Sequence, residues 1–531
     1  MSELLELLLS RRNLTREELT PNYSRLHDPL LLPDMEKGRD RVIEAIENNE
    51  PITVFSDYDA DGIPGAVVMN DFFKRIGYKN FSIYIPHRHD EGFGLNREFI
   101  EGCEAKLLIT VDCGTADIEE IRLAKEKGID VIVTDHHESK ELPEAFAIIN
   151  PKRAGSKYPF KELCGSALAF KLVQAILAKN SFGVKEGMEK WSLDMVGIAT
   201  LSDMVPLVGE NRILASYGLQ VLRKSLRPGI LALCDKLKMS QRFLTEDDVA
   251  FMITPRINAA SRMGVPEDAF KLLSTDDEVE AKVLADHLEK INHERKGVVA
   301  SIVREAKKLL EAREARNSVI VIGNPEWKPS LLGLVANSLV EEYMRPVFVW
   351  GRDGDNKLKG SCRSYNGYDL YQLMEKAKDS FIEFGGHKGA GGFTTDLEKL
   401  TTLEEKLSEA LEAVGPLVHS GPTAVIPISL PDINEELWQT VSLFSPFGIG
   451  NEKPVFKIVN APIKSVRQFG KASEHLELTL GSGIKAISFF SSPKSYFLNP
   501  KSTHCTLYGT LEKSYFRSTP ELRLRIVTIE L

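Results

Sequence analysis

The stretch ITVFSDYDADG, residues 52–62, sets an apolar run directly against three carboxylates at alternate positions. Ile52, Thr53, Val54 and Phe55 are β-branched or aromatic, which predicts a short strand. Strand side chains alternate, so Asp57, Asp59 and Asp61 share one side if the strand continues through them, and Gly62 then permits a turn.

Working outward, the same alternation of strand and helix recurs. NFSIYI, KLLITV, DVIVT and AFAIIN are strand candidates, and AVVMNDFFKRIG and IEEIRLAKEKGI between them have helical periodicity. Strands separated by helices predict a parallel sheet covered by helices. Asp112 follows LLITV, Asp135-His136-His137 follow VIVT, and Asp203 lies in ATLSDMVPL after a helical stretch. Three of these four places therefore stand just past the carboxyl end of a parallel strand, where open α/β sheets gather their ligand sites.

So many carboxylates brought together repel one another unless their pKa values rise or a cation binds among them. Two adjacent histidines favour the cation. Oxygen-rich ligands plus imidazole suit Mn²⁺ or Mg²⁺, Mn²⁺ tolerating the nitrogen better. Two such ions serve an in-line phosphoryl displacement. Each piece alone has an ordinary explanation. An Asp after a strand is often a cap or turn residue, and Asp135-His136-His137 could be a buried hydrogen-bonded group. DxDxDG could open a calcium loop, but Val68 stands where that loop needs Glu. The combination is what singles out a metal site.

The rest of the chain divides by pattern. Residues 1–40 are expected to form an N-terminal helical segment, starting with an amphipathic helix in place of a secretory signal. The catalytic domain is placed at 41–240 and a connecting helical region at 241–316. Within it Thr275–Arg316 reads as one long helix joining two lobes, with a helix hairpin as the alternative. A smaller α/β domain follows at 317–415, with SVIVIG, RPVFVW and KGSCRS as strands. From 422 to 531 short strand-like runs predict a small β-barrel. Across 531 residues the net charge is −9, which tells against a histone-like coat of positive charge without excluding a basic groove. The six cysteines form no CxxC pair, which fits a reducing cytoplasm. No apolar run reaches the ~18 residues of a membrane span.

The residues that carry a family resemblance are SDYDADG, TVDCG, TDHHE and LSDMVPL, with PRINAASRMG and KGSCRS further on. Together they resemble the DHH phosphoesterase superfamily. FGGHKGAGGF at 384–393 is similar to the signature of the DHH-associated domain, its glycines letting the backbone approach a phosphate closely, against the plainer reading of a tight turn between helix and strand. The last segment resembles the oligonucleotide-binding (OB) barrel of the RecJ branch. Two positions depart from the pattern: Ser56 and Ser261 stand where Gly is common.

The resemblance implies metal ligation by Asp59, Asp61, Asp112, His136 and Asp203, with Asp112 bridging two ions. It implies that His137 touches the scissile phosphate, that Asp57 and Asp135 orient ligands, and that Arg256, Asn258, Arg363, Ser364, Gly386 and His387 hold phosphates. In the barrel, Arg467, Phe469, Lys471, Lys513, Tyr515, Phe516 and Arg517 are candidates for contacting single strands, against the plainer reading of surface charge and barrel core. The implied function is a 5′-to-3′ exonuclease on single-stranded DNA that releases 5′-mononucleotides in repair and recombination, using Mn²⁺ or Mg²⁺. A helicase or a single-strand-binding protein is the expected kind of protein partner for a cytoplasmic monomer. The alternatives are a short-oligonucleotide or cyclic-dinucleotide phosphodiesterase, or an inactive single-strand-binding scaffold. On this reading, deleting 421–531 weakens DNA binding more than it lowers the saturated rate.

Overall fold

Five apolar runs pair side by side in a computed structural model that describes residues 2–313, 317–354, 356–414, 425–470, 475–489, 503–515 and 520–530. They are β1 (Ile52–Ser56), β2 (Phe81–Tyr84), β3 (Leu107–Val111), β4 (Asp130–Thr134) and β5 (Ala147–Ile149). Their order is β2-β1-β3-β4-β5, all parallel. The period of two divides the side chains between two cores. Val54, Leu107, Ile109, Val111 and Ile132 bury against the helices Met35–Glu47, Gly62–Arg75 and Gly165–Lys179. Phe55, Leu108, Val131 and Val133 bury on the other face against Arg97–Gly102 and Ile118–Glu126. That double burial explains why these strands are apolar throughout.

The first core does not stop at residue 240. Ile257, Ala260, Leu272 and Leu273 belong to it, as do Ala281, Ala285, Leu288 and Ile291 on one continuous helix, Glu278–Glu311. This helix has 34 residues and is about 51 Å long at 1.5 Å per residue. It is the single long helix that the sequence predicts, not a hairpin. Asp277 caps it, accepting from the amides of Val279 and Glu280 at 2.7 and 2.9 Å. Its later residues Ile302 and Ala306 belong to a different core. The helix thus ties two lobes by being half of each.

The second lobe is built on β6 (Ile320–Gly323), β7 (Val347–Arg352), β8 (Leu358–Arg363), β9 (Glu383–Gly386) and β10 (Ala390–Thr395), ordered β6-β7-β8-β10-β9. The glycine-rich stretch is therefore not a turn between helix and strand. It is an antiparallel hairpin, β9 to β10, with His387 at its tip.

The C-terminal domain is closed. β12 (Val455–Phe469), β13 (His475–Leu480), β14 (Lys485–Ser488), β16 (Glu521–Glu530) and β15 (His504–Ser514) pair in that cyclic order, β15 returning to β12, with the short β11 (Ile426–Pro427) added beside β12. Among the described residues each of these five barrel strands is thereby paired on both sides.

The first 40 residues do not act as one unit. Leu8 and Leu9 of the helix Ser2–Arg12 pack into the barrel's core with Phe444 and Phe456. The helix Met35–Glu47 runs across residue 40 because Met35, Val42 and Ala45 bury on the parallel sheet. Among the described residues no helix is long and apolar enough to cross a membrane.

Candidate metal centre and nucleic-acid cleft

In a sheet ordered 2-1-3-4-5 the connections reverse direction between β1 and β3, and the crevice beyond their carboxyl ends is where such folds bind ligands. Asp57 to Asp61 follow β1, Asp112 follows β3, and His136 follows β4.

The strand does not continue through the first three carboxylates, so the condition under which alternation would put them on one side is not met. β1 ends at Ser56, and a helix begins at Gly62. Between them the chain folds into a turn that Asp59 stabilises by accepting the amides of Asp61 and Gly62 through Oδ1, at 2.7 and 3.2 Å. The Ser56 hydroxyl donates to Gly62 O at 2.6 Å, a local use for one of the two departures from the family pattern. Asp61 is held from outside the turn. Its carboxylate accepts the amides of Gly165 and Ser166 at 2.6 and 2.8 Å, at the amino end of the helix Gly165–Lys179. Gly165 also makes room for Asp112: a Cβ there would lie 2.4 Å from Asp112 Cβ. Asp112 itself adopts φ +62°, a left-handed backbone that costs a non-glycine residue about 1 kcal/mol or more. Its amide is anchored on Thr134 O at 2.9 Å.

The result is a buried cluster. Asp57, Asp59 and Asp112 bring ligand atoms within 4.8 Å of one another, as do Asp61, His136 and Asp203, and Asp112, His136 and His137. His136 Nε2 lies 3.2 Å from Asp112 Oδ1, 3.6 Å from Asp203 Oδ2 and 3.9 Å from Asp61 Oδ2. The first of these is within ion-pair distance but not aligned as a hydrogen bond. Asp57 Oδ1, Asp112 Oδ1 and Asp203 Oδ2 are buried without a hydrogen-bond partner. Such orphans are costly, and here they converge. Neighbouring ligands of a small cation bound at ~2.1 Å stand about 3 Å apart, close to the spacings seen. The donor set therefore fits divalent ions. Asp57, expected only to orient, stands among the candidate ligands.

Charge tells the same story. Burial, and then the neighbouring Asp61 and Asp59, push Asp203 up to about 9. Asp112 is raised well above the carboxylate range by burial and then Asp61, Asp59 and Asp203. Burial lowers His136 to about 4, leaving a neutral imidazole suited to ligation. His137 differs. Burial opposes its charge, but Asp135 outweighs burial and raises it to about 9. Asp135 is fully occupied: it accepts His137 Nδ1 and the amides of His136, His137 and Thr115. That is the geometry of an orienting carboxylate.

The phosphate-holding candidates are split. Asn258 Oδ1 accepts the Ala60 amide at 3.0 Å, bracing the acidic turn from behind. Arg256 is buried, with Nε on Glu289 at 2.7 Å and Nη1 on Met252 O at 3.0 Å. In the second lobe Ser364 donates its amide to Gly389 O at 3.0 Å, so it stands beside the exposed Gly386–His387 tip. Arg363 shares its edge of the sheet, opposite Ala390.

Sequence reasoning named Arg363 but missed the other cations between the lobes, Arg88, Arg262 and Arg295. Arg262 donates to Ser330 O and its carbonyl accepts from Ser330 Oγ, both at 3.0 Å, joining the lobes. Burial, then Arg88 and Arg295, push Arg262 down to about 10; Asp59 and Arg363 also act on it. Arg88, Arg295 and Arg363 therefore gather around Arg262, near Asp59 of the acidic cluster, an arrangement that favours an anion beside them. A signal for Arg88 existed: it follows β2 at the same sheet edge as the other site residues.

On the barrel, Phe469, His475 and Phe489 lie edge to face, 5.0 to 6.1 Å apart. Arg467 and Arg525 sit over Phe469 and Phe489 at 5.7 and 4.2 Å. Arg467 and Phe469 were foreseen; His475, Phe489 and Arg525 were not. Two other candidates are engaged within the chain: Lys513 bonds Glu435 at 2.6 Å, and Tyr515 stacks on Phe243 of the first lobe at 4.4 Å. Lys471, Phe516 and Arg517 lie outside the described residues.

Comparison with known proteins agrees with this layout. Residues 51–200 match the DHH family, N-terminal domain; 316–415 the DHHA1 domain; and 426–528 the RecJ OB domain. The single-stranded-DNA-specific exonuclease RecJ of Bacillus subtilis is 35% identical over 464 residues, covering 86% of this chain and 58% of its own length. This chain thus spans little more than half of that relative. The Salmonella typhimurium protein of the same name is 32% identical over 445 residues, with 79% and 77% covered. The crystal structure of Thermus thermophilus RecJ in complex with Mn²⁺ superposes with a TM-score of 0.82 at 27% identity, covering 99% of this chain and 76% of that one. Its Mg²⁺ complex gives 0.77 at 25%, covering 99% and 74%.

Proposed function

This chain belongs to the RecJ family of DHH phosphoesterases, and from that premise we propose that it is a metal-dependent exonuclease degrading single-stranded DNA from the 5′ end to 5′-mononucleotides, in DNA repair and recombination. The observation that carries the reading is the set of buried, unpartnered carboxylate oxygens at the β1/β3 crevice. Asp57, Asp59, Asp61, Asp112, His136 and Asp203 would hold two ions, Mn²⁺ or Mg²⁺, and Asp112, which clusters with Asp57 and Asp59 on one side and His136 on the other, would serve both. When bound, two such ions activate the nucleophile and neutralise charge in an in-line phosphoryl displacement.

The chain's own groups do the rest. His137, kept protonated by Asp135, donates to a phosphate oxygen. Arg88, Arg262, Arg295 and Arg363 receive the phosphate backbone in the gap between the lobes. On this reading the two lobes, joined by one long helix, take a single strand between them and not a duplex. The aromatic and arginine face of the barrel holds bases further along. Working as a monomer in the cytoplasm fits six free cysteines, five of them buried, and a helicase or a single-strand-binding protein is the partner that would supply such strands.

The test is release of 5′-mononucleotides from 5′-labelled single strands of graded length, in Mn²⁺, Mg²⁺ or EDTA, beside blunt duplex. Full activity in EDTA overturns the metal reading. A preference for dinucleotides over long strands favours the small-oligonucleotide phosphodiesterase, and tight binding without turnover favours the scaffold.

A further inference from the structure

Asp203 closes the helix Leu193–Ser202, its amide donating to Ala199 O at 2.9 Å. Beyond it the backbone turns left-handed at Met204, φ +60°, and a short loop leads to the next helix, Gly209–Leu222. Met204 is 71% exposed, so whatever grips the rest of the loop decides where Asp203 presents its carboxylate. The first lobe holds Val205 in its core and bonds Pro206 O from Asn211 Nδ2 at 3.1 Å, and the C-terminal domain takes the next residue, Leu207, which is 3% exposed. Its amide donates to Ile449 O at 2.7 Å. Its side chain sits on Gly448, where a Cβ would lie 2.7 Å from Leu207 Cδ1.

Ile449 and Gly448 belong to a turn of the C-terminal domain, just before the barrel, and that turn is itself held. Gly448 and Asn451 exchange backbone hydrogen bonds at 3.1 Å. Asn451 Nδ2 donates to Phe444 O and Pro446 O at 2.8 Å, and its Oδ1 accepts Arg12 Nε at 2.9 Å. The first lobe holds the same turn: Glu246 accepts Ser445 Oγ and the Phe447 amide at 3.2 Å, and Arg212 donates to Leu443 O at 3.0 Å.

We propose that the turn 446–451 is a positioning element of the metal centre, setting Asp203 through Leu207, with Gly448 and Asn451 as its positioning residues. The proposal rests on the reading of the acidic cluster as a metal centre. A junction between domains could be made anywhere on the first lobe; this one clamps a loop four residues from a candidate ligand. The path from Asn451 through Gly448 to Leu207 runs over packed and hydrogen-bonded groups, and from Leu207 it reaches Asp203 along four residues of backbone. Supports beyond the ligands themselves commonly change metal affinity by about 10- to 100-fold. The C-terminal domain then has two separate effects, one on the strand and one on the ions.

The experiment measures Mn²⁺ affinity of the full-length protein without DNA, by paramagnetic resonance of unbound Mn²⁺, for Gly448→Ala, Leu207→Ala and the double variant. Gly448→Ala should drive the loop inward and Leu207→Ala release it, each weakening Mn²⁺ binding about tenfold or more. In turnover on a single-stranded oligonucleotide, kcat should fall while KM holds. The double variant should recover part of the Gly448→Ala loss, because the added methyl then has room; losses that simply add would mark general destabilisation and overturn the proposal. So would folded single variants, checked by circular dichroism, that bind Mn²⁺ within about twofold of the parent, a change far below the effect of supporting residues. Should Gly448→Ala not fold, Leu207→Ala decides alone. Failure of the parent to bind Mn²⁺ would remove the metal centre itself, a different result from an intact centre indifferent to the turn.

Discussion

The carboxylate of Asp135 accepts a hydrogen bond from His137 Nδ1 at 2.7 Å, and His136, one residue earlier, is turned instead to Asp112. Adjacent histidines are thereby divided into a neutral ligand and a cation. His137 is raised to about 9, against burial, by Asp135. A histidine raised in this way is charged below its folded pKa and loses its charge as pH rises through it. Activity that depends on the imidazolium should therefore fall only above about pH 9, and in Asp135→Asn the fall should move toward the ordinary histidine value of about 6.5. A pH profile of kcat/KM in Mg²⁺ checks this; an unmoved alkaline limb would mean His137 does not act as a cation.

Asp112→Ala should abolish turnover and leave single-strand affinity nearly intact, because the arginine gap and barrel face do not depend on it. A role between two ions is worth several kcal/mol of barrier, so a variant keeping about a tenth of the parental rate would contradict it.

Metal-free protein should lose stability as pH rises. Burial and then Asp61 and Asp59 push Asp203 up to about 9, and Asp112 is raised as well. An acid with a raised folded pKa favours the fold while protonated. That advantage is full below the unfolded value of about 4 and is lost progressively on the way to the folded one. In EDTA, Tm should fall between about pH 6 and 8.5, and Mn²⁺ should raise Tm more at the upper end, where protons no longer compete for the ligands. A Tm in EDTA that is flat or rising over this range would show that the carboxylates are not crowded in the free protein.

Phe489→Ala and Arg525→Ala should weaken binding of long single strands several-fold, each stacked base being worth about 1–3 kcal/mol, with kcat little changed. Arg525→Ala should also flatten the salt dependence by about 0.7 in the log–log slope, one phosphate contact fewer. Affinity equal to the parent at every salt concentration would place the DNA elsewhere on the barrel. Deleting 421–531, the simpler experiment, is no clean test, because it also removes Gly448 and Ile449 from the Asp203 loop.

The strands β1, β3, β4 and β5 were legible because each is a largely apolar run buried on both faces, with β2 a half-buried edge, and the carboxyl ends of β1, β3 and β4 located the acidic turn, Asp112 and His136. What sequence could not supply came from contacts far apart along the chain. The three acidic residues of the turn are not sorted by strand alternation. Asp59 bonds its own turn, and Asp61 is claimed by Gly165 and Ser166, about a hundred residues on. The glycine segment 384–393 looked like a loop because glycine is poor in strands; only its pairing with β8 makes it sheet. Arg262 and Arg88 become a site only when the second lobe brings Arg363 to them. Tyr515 looked like a base-stacking ring until Phe243 took its face.

Arg12 reaches Asn451 across a separation of 439 residues, and Leu8 and Leu9 complete the hydrophobic interior of the barrel. The helix Ser2–Arg12 thus waits during synthesis for a partner 439 residues further along the chain. At about 5–20 residues per second the delay is roughly 20 to 90 s, during which both leucines have no permanent partner. The two lobes and their long helix can assemble meanwhile, since their cores are complete by residue 411. A change at Leu8 or Leu9 would therefore leave the nascent lobes to fold on schedule and be felt only when the barrel closes, with its interior short of a packed side chain.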